Sequence, residues 1–239
     1  SSLTLNGFEH KINSFRKIKN ISEIVNSHIL FFQKFNDYYP NLSLLIQNIP
    51  LEEQICIAIN KIIDKFGEIK NEASEKLAQI RSEMGVLKTK INQSFVRALT
   101  EYNSQDYLDD IRESVIENRR VLAVKAMHRR RVKGSVLGSS KTGSIVYIEP
   151  QETEQYSREL SHLIYEEKEE IKKILRKLTD FIRPYGQLLQ EYQKYLVEID
   201  IISAKALLAG QMNALLPEIS EEKIVELRQA YHPLLYLNN

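Results

Sequence analysis

The chain has 239 residues, a formal net charge of +1 and a single cysteine, Cys56. Its 43% hydrophobic content can bury a core, while the 27% charged share suits long solvated helices better than a dense globule. No apolar run approaches the ~20 residues that span a membrane, no signal peptide opens the sequence, and one cysteine excludes an internal disulfide framework or zinc cluster. The reading is a soluble, cytoplasmic protein with no membrane partner. Its Ser1-Ser2 start, and its end on Asn238-Asn239 soon after a new element begins, suggest a piece of a longer chain.

Residues 8–48 read as short helices, with Ile12, Phe15, Ile18, Ile21, Ile24 and Val25 at helical spacing, then Ile29 to Phe35, and a break at Asp37-Tyr38-Tyr39-Pro40-Asn41. Pro50-Leu51-Glu52-Glu53 reads as the first turn of a new helix, with acids near its positive end. From there Ile55, Ile59, Ile62, Phe66, Ile69, Ala73, Leu77, Ile80, Met84, Leu87 and Ile91 step by fours and threes, with a stutter at Ala73. Continued to Thr100 this predicts one rod of about 70 Å at about 1.5 Å per residue. After Pro150 a second stripe runs from Tyr156 through Leu160, Leu163, Ile171, Leu175 and Leu178 to Ile199, interrupted at Arg183-Pro184. Two such rods predict an antiparallel helical hairpin. The Ala/Leu-rich run from Ala204 to Ala214 carries the helix to Pro217, and Glu226 to Leu235 reads as a strand leaving the helical body.

Between the rods the period changes. Ser114-Val115-Ile116 and Val121 to Val124 are β-prone, and Ser135 to Gly138 and Ser144 to Ile148 flank Ser139 to Gly143 as a hairpin with a five-residue loop. From Glu113 to Glu149 there are eight cations and three carboxylates, a net +5 that leaves −4 for the rest. A local positive region in a near-neutral chain points to a polyanion. Its candidate phosphate contacts are Lys125, His128, Arg129, Arg130, Arg131, Lys133 and the hairpin-tip Lys141, with Arg119 and Arg120 as further possibilities. On an extended strand Arg129 and Arg131 share a face and Arg130 points away, so the contact is expected to spread over Arg129, Arg131 and Lys141. A solvated turn with its arginines paired to nearby acids is the plain structural alternative.

Other polar clusters suggest less. Glu166-Glu167-Lys168-Glu169-Glu170, with Lys172 and Lys173 in helical reach, reads as a solvated salt-bridged face rather than a metal site. His10, His28, His128, His162 and His232 are scattered, so no catalytic residue and no metal ligand is assigned. Trp is absent, which leaves Tyr, Phe or His for any base stacking.

Several blocks stand in order along the chain: Glu72 to Arg81, Arg119 to Lys125, Gly134 to Pro150 ending in Tyr147-Ile148-Glu149-Pro150, Leu196 to Asp200 with Ala204-Lys205-Ala206, and Tyr231-His232-Pro233-Leu234-Leu235. Together they resemble the core, lever and clamp regions of the MutS superfamily. The resemblance covers about residues 50–239 and is nearer to the MutS-II subfamily, which lacks the mismatch-recognition domain. It implies a mainly α fold: an N-terminal helical core over 1–50, an outgoing lever helix over 51–112, and a β-rich basic clamp over 113–150. A returning lever and core would cover 151–216, and the start of an ATPase domain 217–239. The resemblance further implies a homodimer that embraces nucleic acid, with ATP and Mg bound by an ATPase domain outside this chain and in some members an Smr endonuclease domain. It implies action on branched DNA in recombination suppression and repair, or on rRNA in rescuing stalled ribosomes. Ser139-Ser140-Lys141-Thr142 lacks the upstream glycines of a phosphate-binding GxxxxGK[ST] loop, so this chain carries no cofactor site of its own and is not itself an enzyme. The alternative is a coiled-coil arm for dimerisation or docking.

Overall fold

A computed structural model describes residues 2–219, 221–227 and 230–237, the side chains of 2–8, 234 and 237 excepted. The fold is mostly helical, with one four-stranded antiparallel sheet. The chain divides into two compact units, residues 1–59 with 181–239, and residues 60–180.

The first unit is helical. Helix α1 (Ser2–Lys34) is continuous rather than the series of short helices expected over 8–48. No proline falls inside it, and Phe15, Ser22, Val25, Ile29 and Phe32 repeat by sevens, threes and fours on its buried face. Helix α2 (Pro40–Ile46) starts at Pro40, which the sequence reading placed in a break, and α3 (Gln54–Ile62) begins four residues after Pro50 rather than at it. The intervening segment is held from the side. Asn26 Nδ2 donates to the Glu52 carbonyl at 2.8 Å and Glu52 N to Asn26 Oδ1 at 3.2 Å. The Tyr192 hydroxyl lies 2.9 Å from the Pro50 carbonyl and 3.1 Å from Asn26 Oδ1. Tyr192 and Tyr195 belong to α6 (Gly186–Gln211) and pack with Val25, Ile29, Phe32 and Ile46. Burial pushes both tyrosine hydroxyls up to about 12. Cys56 is buried with its thiol pushed up, chiefly by desolvation. The strand expected over 226–235 does not appear in its described residues: α7 (Pro233–Leu237) begins at Pro233, and the His232 carbonyl accepts from Leu235 N and Tyr236 N. Arg228, Gln229 and the side chain of Leu234 lie outside the described residues.

The second unit holds the helix pair and the sheet. The expected single rod from Leu51 to Thr100 is broken at Ile63–Ser74. Asp64 Oδ1 accepts from Phe66 N and Glu68 N, each at 2.8 Å, Gly67 takes φ 92°, and Ile63 bridges Ile69. These backbone donors, that of Glu68 first, hold the Asp64 carboxyl below its ordinary range. Phe66, counted in the stripe, is 75% exposed in this turn. Ser74 then caps α4 (Glu75–Ser104), its hydroxyl accepting from Leu77 N. Helix α5 (Gln151–Ile182) runs antiparallel to α4: Ser94 meets Thr153, Arg81 Nε donates to Glu167 at 2.7 Å, and Ser74 donates to Glu170. Ile80, Met84, Leu87 and Leu163 form the apolar seam. Glu167 and Glu170 therefore bind across the helix pair instead of making up a purely solvated face. A 3₁₀ turn at Arg183–Tyr185, around Pro184, separates α5 from α6. Among the described residues no helix is long and apolar enough to cross a membrane.

The polar clasp of the first unit is directly testable. Replacing Tyr192 by Phe removes the hydroxyl donor from the Pro50 carbonyl and from Asn26 Oδ1, which keeps Glu52 N, and lowers stability by about 0.5–1.5 kcal/mol, read as a lower urea midpoint. Because burial raises the Tyr192 hydroxyl to about 12, its contribution is full below its ordinary value of about 10 and fades as pH climbs through the raised value. The wild-type chain therefore loses more stability than Tyr192→Phe across that alkaline window.

Candidate nucleic-acid interface

The sheet comprises β1 (Leu108–Ile116), β2 (Arg119–Lys125), β3 (Gly134–Ser139) and β4 (Ile145–Pro150), in the order β1-β2-β4-β3. It begins five residues before the expected 113. β1 and β2 are joined by Glu117-Asn118, both at positive φ (47° and 65°), the two-residue turn that suits hairpin twist. Val121, Leu122, Ala123 and Val124 are all buried. Leu122 and Val124, with Leu108, Val132 and Ile148, pack on Phe95 and Ala98 of the last turns of α4. That packing fixes β2 and so gives the basic residues two separate locations. Lys125 lies at one end of β2 and Arg119 at the other, about 20 Å apart at about 3.3 Å per residue.

The Arg119 end is structural in character. Arg119 Nη1 donates to Glu149 Oε2 at 2.9 Å, and Glu149 is fully buried. Glu149 Oε1 has no hydrogen-bond partner among the described residues. Arg120 pairs with Glu113, donates to Asn92 Oδ1, and lays its guanidinium 4.2 Å from the centre of the Phe95 ring. Lys133 sits toward this end as well. It precedes Gly134, which pairs with Pro150, and its carbonyl accepts from Gln151 N at 3.2 Å. Gly134 takes φ 152°, and a Cβ there would come within 2.0 Å of the Glu149 carbonyl oxygen.

The Lys125 end gathers most of the remaining candidates. Lys125 pairs with Ile145 in register, and Ala126 N donates to the Ser144 carbonyl, so the 126–133 turn and the 140–144 loop leave the sheet side by side. The strand expected for Arg129 to Arg131 is absent. Ala126–His128 forms a 3₁₀ turn, Arg129 is αR with φ −45°, and Arg129 N and Arg131 N donate to the Ala126 and His128 carbonyls. In a turn the three arginines fan out rather than alternate between two faces, which removes the reason for setting Arg130 aside. The side chains of Arg129, Arg130 and Lys141 make no hydrogen bond or ion pair with any described residue, and neither does that of Lys133 at the other end. Lys125 pairs with Asp106 at 2.8 Å, and this hydrogen bond is the main reason the Asp106 carboxyl lies below its usual range.

Arg131 is engaged locally. Its Nη1 donates to the Tyr107 hydroxyl at 3.3 Å, which raises its pKa further. Tyr107 stacks on His128 with centroids 4.8 Å apart and rings inclined 29°, and on Tyr102 at 6.4 Å and 28°. The loop holding Lys141 is braced by its own hydroxyls. Thr142 lies within hydrogen-bond distance of Ser140 and Ser144, Ile145 N donates to Ser140 Oγ, and Gly143 supplies φ 72°. Sequence reasoning missed Tyr102, Tyr107, Asp106 and Met127. The signal available was weak, because Tyr107 precedes Lys125 by 18 residues in the sequence and only the sheet brings the two together.

No protein-family model matches the chain. Three curated relatives, each named Endonuclease MutS2, are similar over most of its length. That of Carboxydothermus hydrogenoformans is 34% identical over 86% of this chain and 26% of the relative. That of Leuconostoc mesenteroides is 33% identical over 91% and 27%, and that of Streptococcus suis 32% over 83% and 26%. The chain thus spans about a quarter of the length of the curated relatives it matches.

The Arg119–Glu149 pair separates structural from binding cations. Arg119→Met strands a buried carboxylate and destabilises the chain by about 3–5 kcal/mol. The double change Arg119→Met, Glu149→Leu recovers much of that loss. Urea unfolding followed by circular dichroism checks both, and an unchanged midpoint for the single variant contradicts the assignment.

Proposed function

We propose that this chain, whose similarities support membership of the MutS family, is the clamp and lever part of a MutS-II-like ATPase and contacts nucleic acid through the Lys125 end of its sheet. The observation that carries the reading is the group of cations there. Among the described residues, the side chains of Arg129, Arg130 and Lys141 have no hydrogen-bond or ion-pair partner, and they stand on two braced turns that leave the sheet side by side. Long cationic side chains on a fixed backbone are suited to phosphates and indifferent to base sequence. In this reading α4 and α5 are the lever, and residues beyond about 217 lead toward an ATPase domain that binds ATP and Mg. The complete protein acts as a homodimer on branched DNA or on the RNA of stalled ribosomes, with an Smr endonuclease domain in keeping with the relatives' names.

A coiled-coil arm that dimerises or docks on a protein is the second reading. It draws on Val197, Ile201, Leu207 and Leu208, apolar residues exposed on α6. It expects self-association without nucleic acid, which sedimentation velocity measures.

The test is titration of the chain with branched DNA, continuous duplex and structured RNA across a salt series. Reversing Arg129, Arg130 and Lys141 to Glu weakens binding at least tenfold and flattens the logarithmic salt slope by about two to three. Arg131 is left intact because it holds Tyr107. An unchanged affinity and slope in the triple variant overturns the assignment.

A further inference from the structure

Met127 is 82% exposed, more than any other large apolar side chain described between residues 60 and 180. It sits at the middle of the 3₁₀ turn Ala126–His128, with Lys125 before it and Arg129 and Arg130 after it. The turn that presents it is held at several points: Ala126 N on the Ser144 carbonyl, Arg129 N on Ala126, Arg131 N on His128, and Lys125 Nζ on Asp106. The neighbouring His128 ring lies on Tyr107, which lies on Tyr102, and the Tyr107 hydroxyl accepts from Arg131. An apolar side chain held out in water among cations contributes nothing to the core. Beside it stands an aromatic stack whose His128 ring is half-buried.

We infer that Met127 and His128 form a docking point for a nucleobase that has lost its stacking neighbour, with the adjacent phosphates taken by Arg129 and Arg130. The inference rests on the proposed nucleic-acid reading and names its preferred substrate: strands carrying an unpaired or flipped base. A polarisable thioether packs on a π face without regard to base identity. Methionine is among the side chains that wedge between base steps, and aromatic rings stack bases with little sequence preference. A continuous duplex offers no free base face, so it would use the cations alone.

The experiment titrates the chain with a continuous duplex and with the same duplex carrying one unpaired fluorescent adenine analogue, in DNA and in RNA versions. The wild-type chain is expected to favour the unpaired-base probe by about tenfold and to change the analogue's fluorescence. Met127→Ser should lose most of that preference while keeping the duplex affinity and its salt slope. A preference confined to DNA or to RNA supports the inference and identifies the source of the base. Retention of both preference and fluorescence change in Met127→Ser overturns it, as does a wild-type chain that binds both probes equally. In those cases intact salt-sensitive duplex binding leaves the phosphate reading standing. Absence of salt-sensitive binding by the wild-type chain to every probe overturns both. Met127 contacts solvent, so loss of folding is not expected, and circular dichroism verifies this for the variant.

Discussion

The apolar contact between the last turns of α4 and the central strand β2 governs the rest of the second unit. Four short strands are a marginal structure in water without something to cover them. Here Phe95 and Ala98 cover Leu122, Val124, Leu108 and Ile148, and Val132 closes the same cluster from the connecting turn. Because Val132 is drawn into the core, residues 126–133 must run from the Lys125 end of β2 toward the Arg119 end before β3 can begin. The basic segment therefore cannot be a single patch. Its first half stays with the 140–144 loop, and Lys133 is carried to the far end.

Electrostatics divides the same residues a second time. A net charge of +5 between residues 113 and 149 counts heads without regard to partners. Arg119 neutralises a carboxylate that is fully buried, and its loss would leave a charge in a medium that cannot solvate it. Lys125 differs, because its partner Asp106 is 90% exposed. An exposed pair contributes little, so on the proposed reading a phosphate could replace Asp106 at little cost. Arg131 sits between these cases: its head is held by a phenol, leaving its charge uncompensated while its position supports the Tyr107 stack.

Both heptad stripes were legible in the sequence because burial on one face of a helix imposes its own period. Their continuity was not. The stripe from Ile55 to Ile91 keeps its spacing across Phe66 and Ala73, yet the chain leaves the helix there because Asp64 and Gly67 close a turn. A side-chain carboxylate satisfying two backbone donors competes with the helix locally. The opposite error arose in α1, where no strong stop signal justified dividing one helix into several. The hairpin around Lys141 was readable because its loop is rich in Gly, Ser and Thr between β-branched runs. The turn at Arg129 to Arg131 was not, since its shape is set by Val132 reaching the core, a contact with Phe95 and Ala98 far away in sequence. The candidate residues were thus named by composition, and their grouping was decided by packing.

The arginines stand in a turn rather than a strand, and this changes how many of them can meet one partner. A strand points consecutive side chains to opposite faces, so at most alternate residues could meet one partner. A turn fans them over a wider arc from a short length of chain. Each Arg gives up about 2 kcal/mol of rotamer freedom if fully fixed, and that cost favours contacts made by flexible heads on a rigid base. The rigid base is present: hydroxyls and a positive-φ glycine brace one turn, and backbone hydrogen bonds and the Tyr107 stack brace the other. On the proposed reading, such an arrangement would tolerate variation in phosphate position from one sequence to the next. Contacts made by cationic heads to phosphates carry no base sequence, so selectivity by these cations would come from the shape of the nucleic acid.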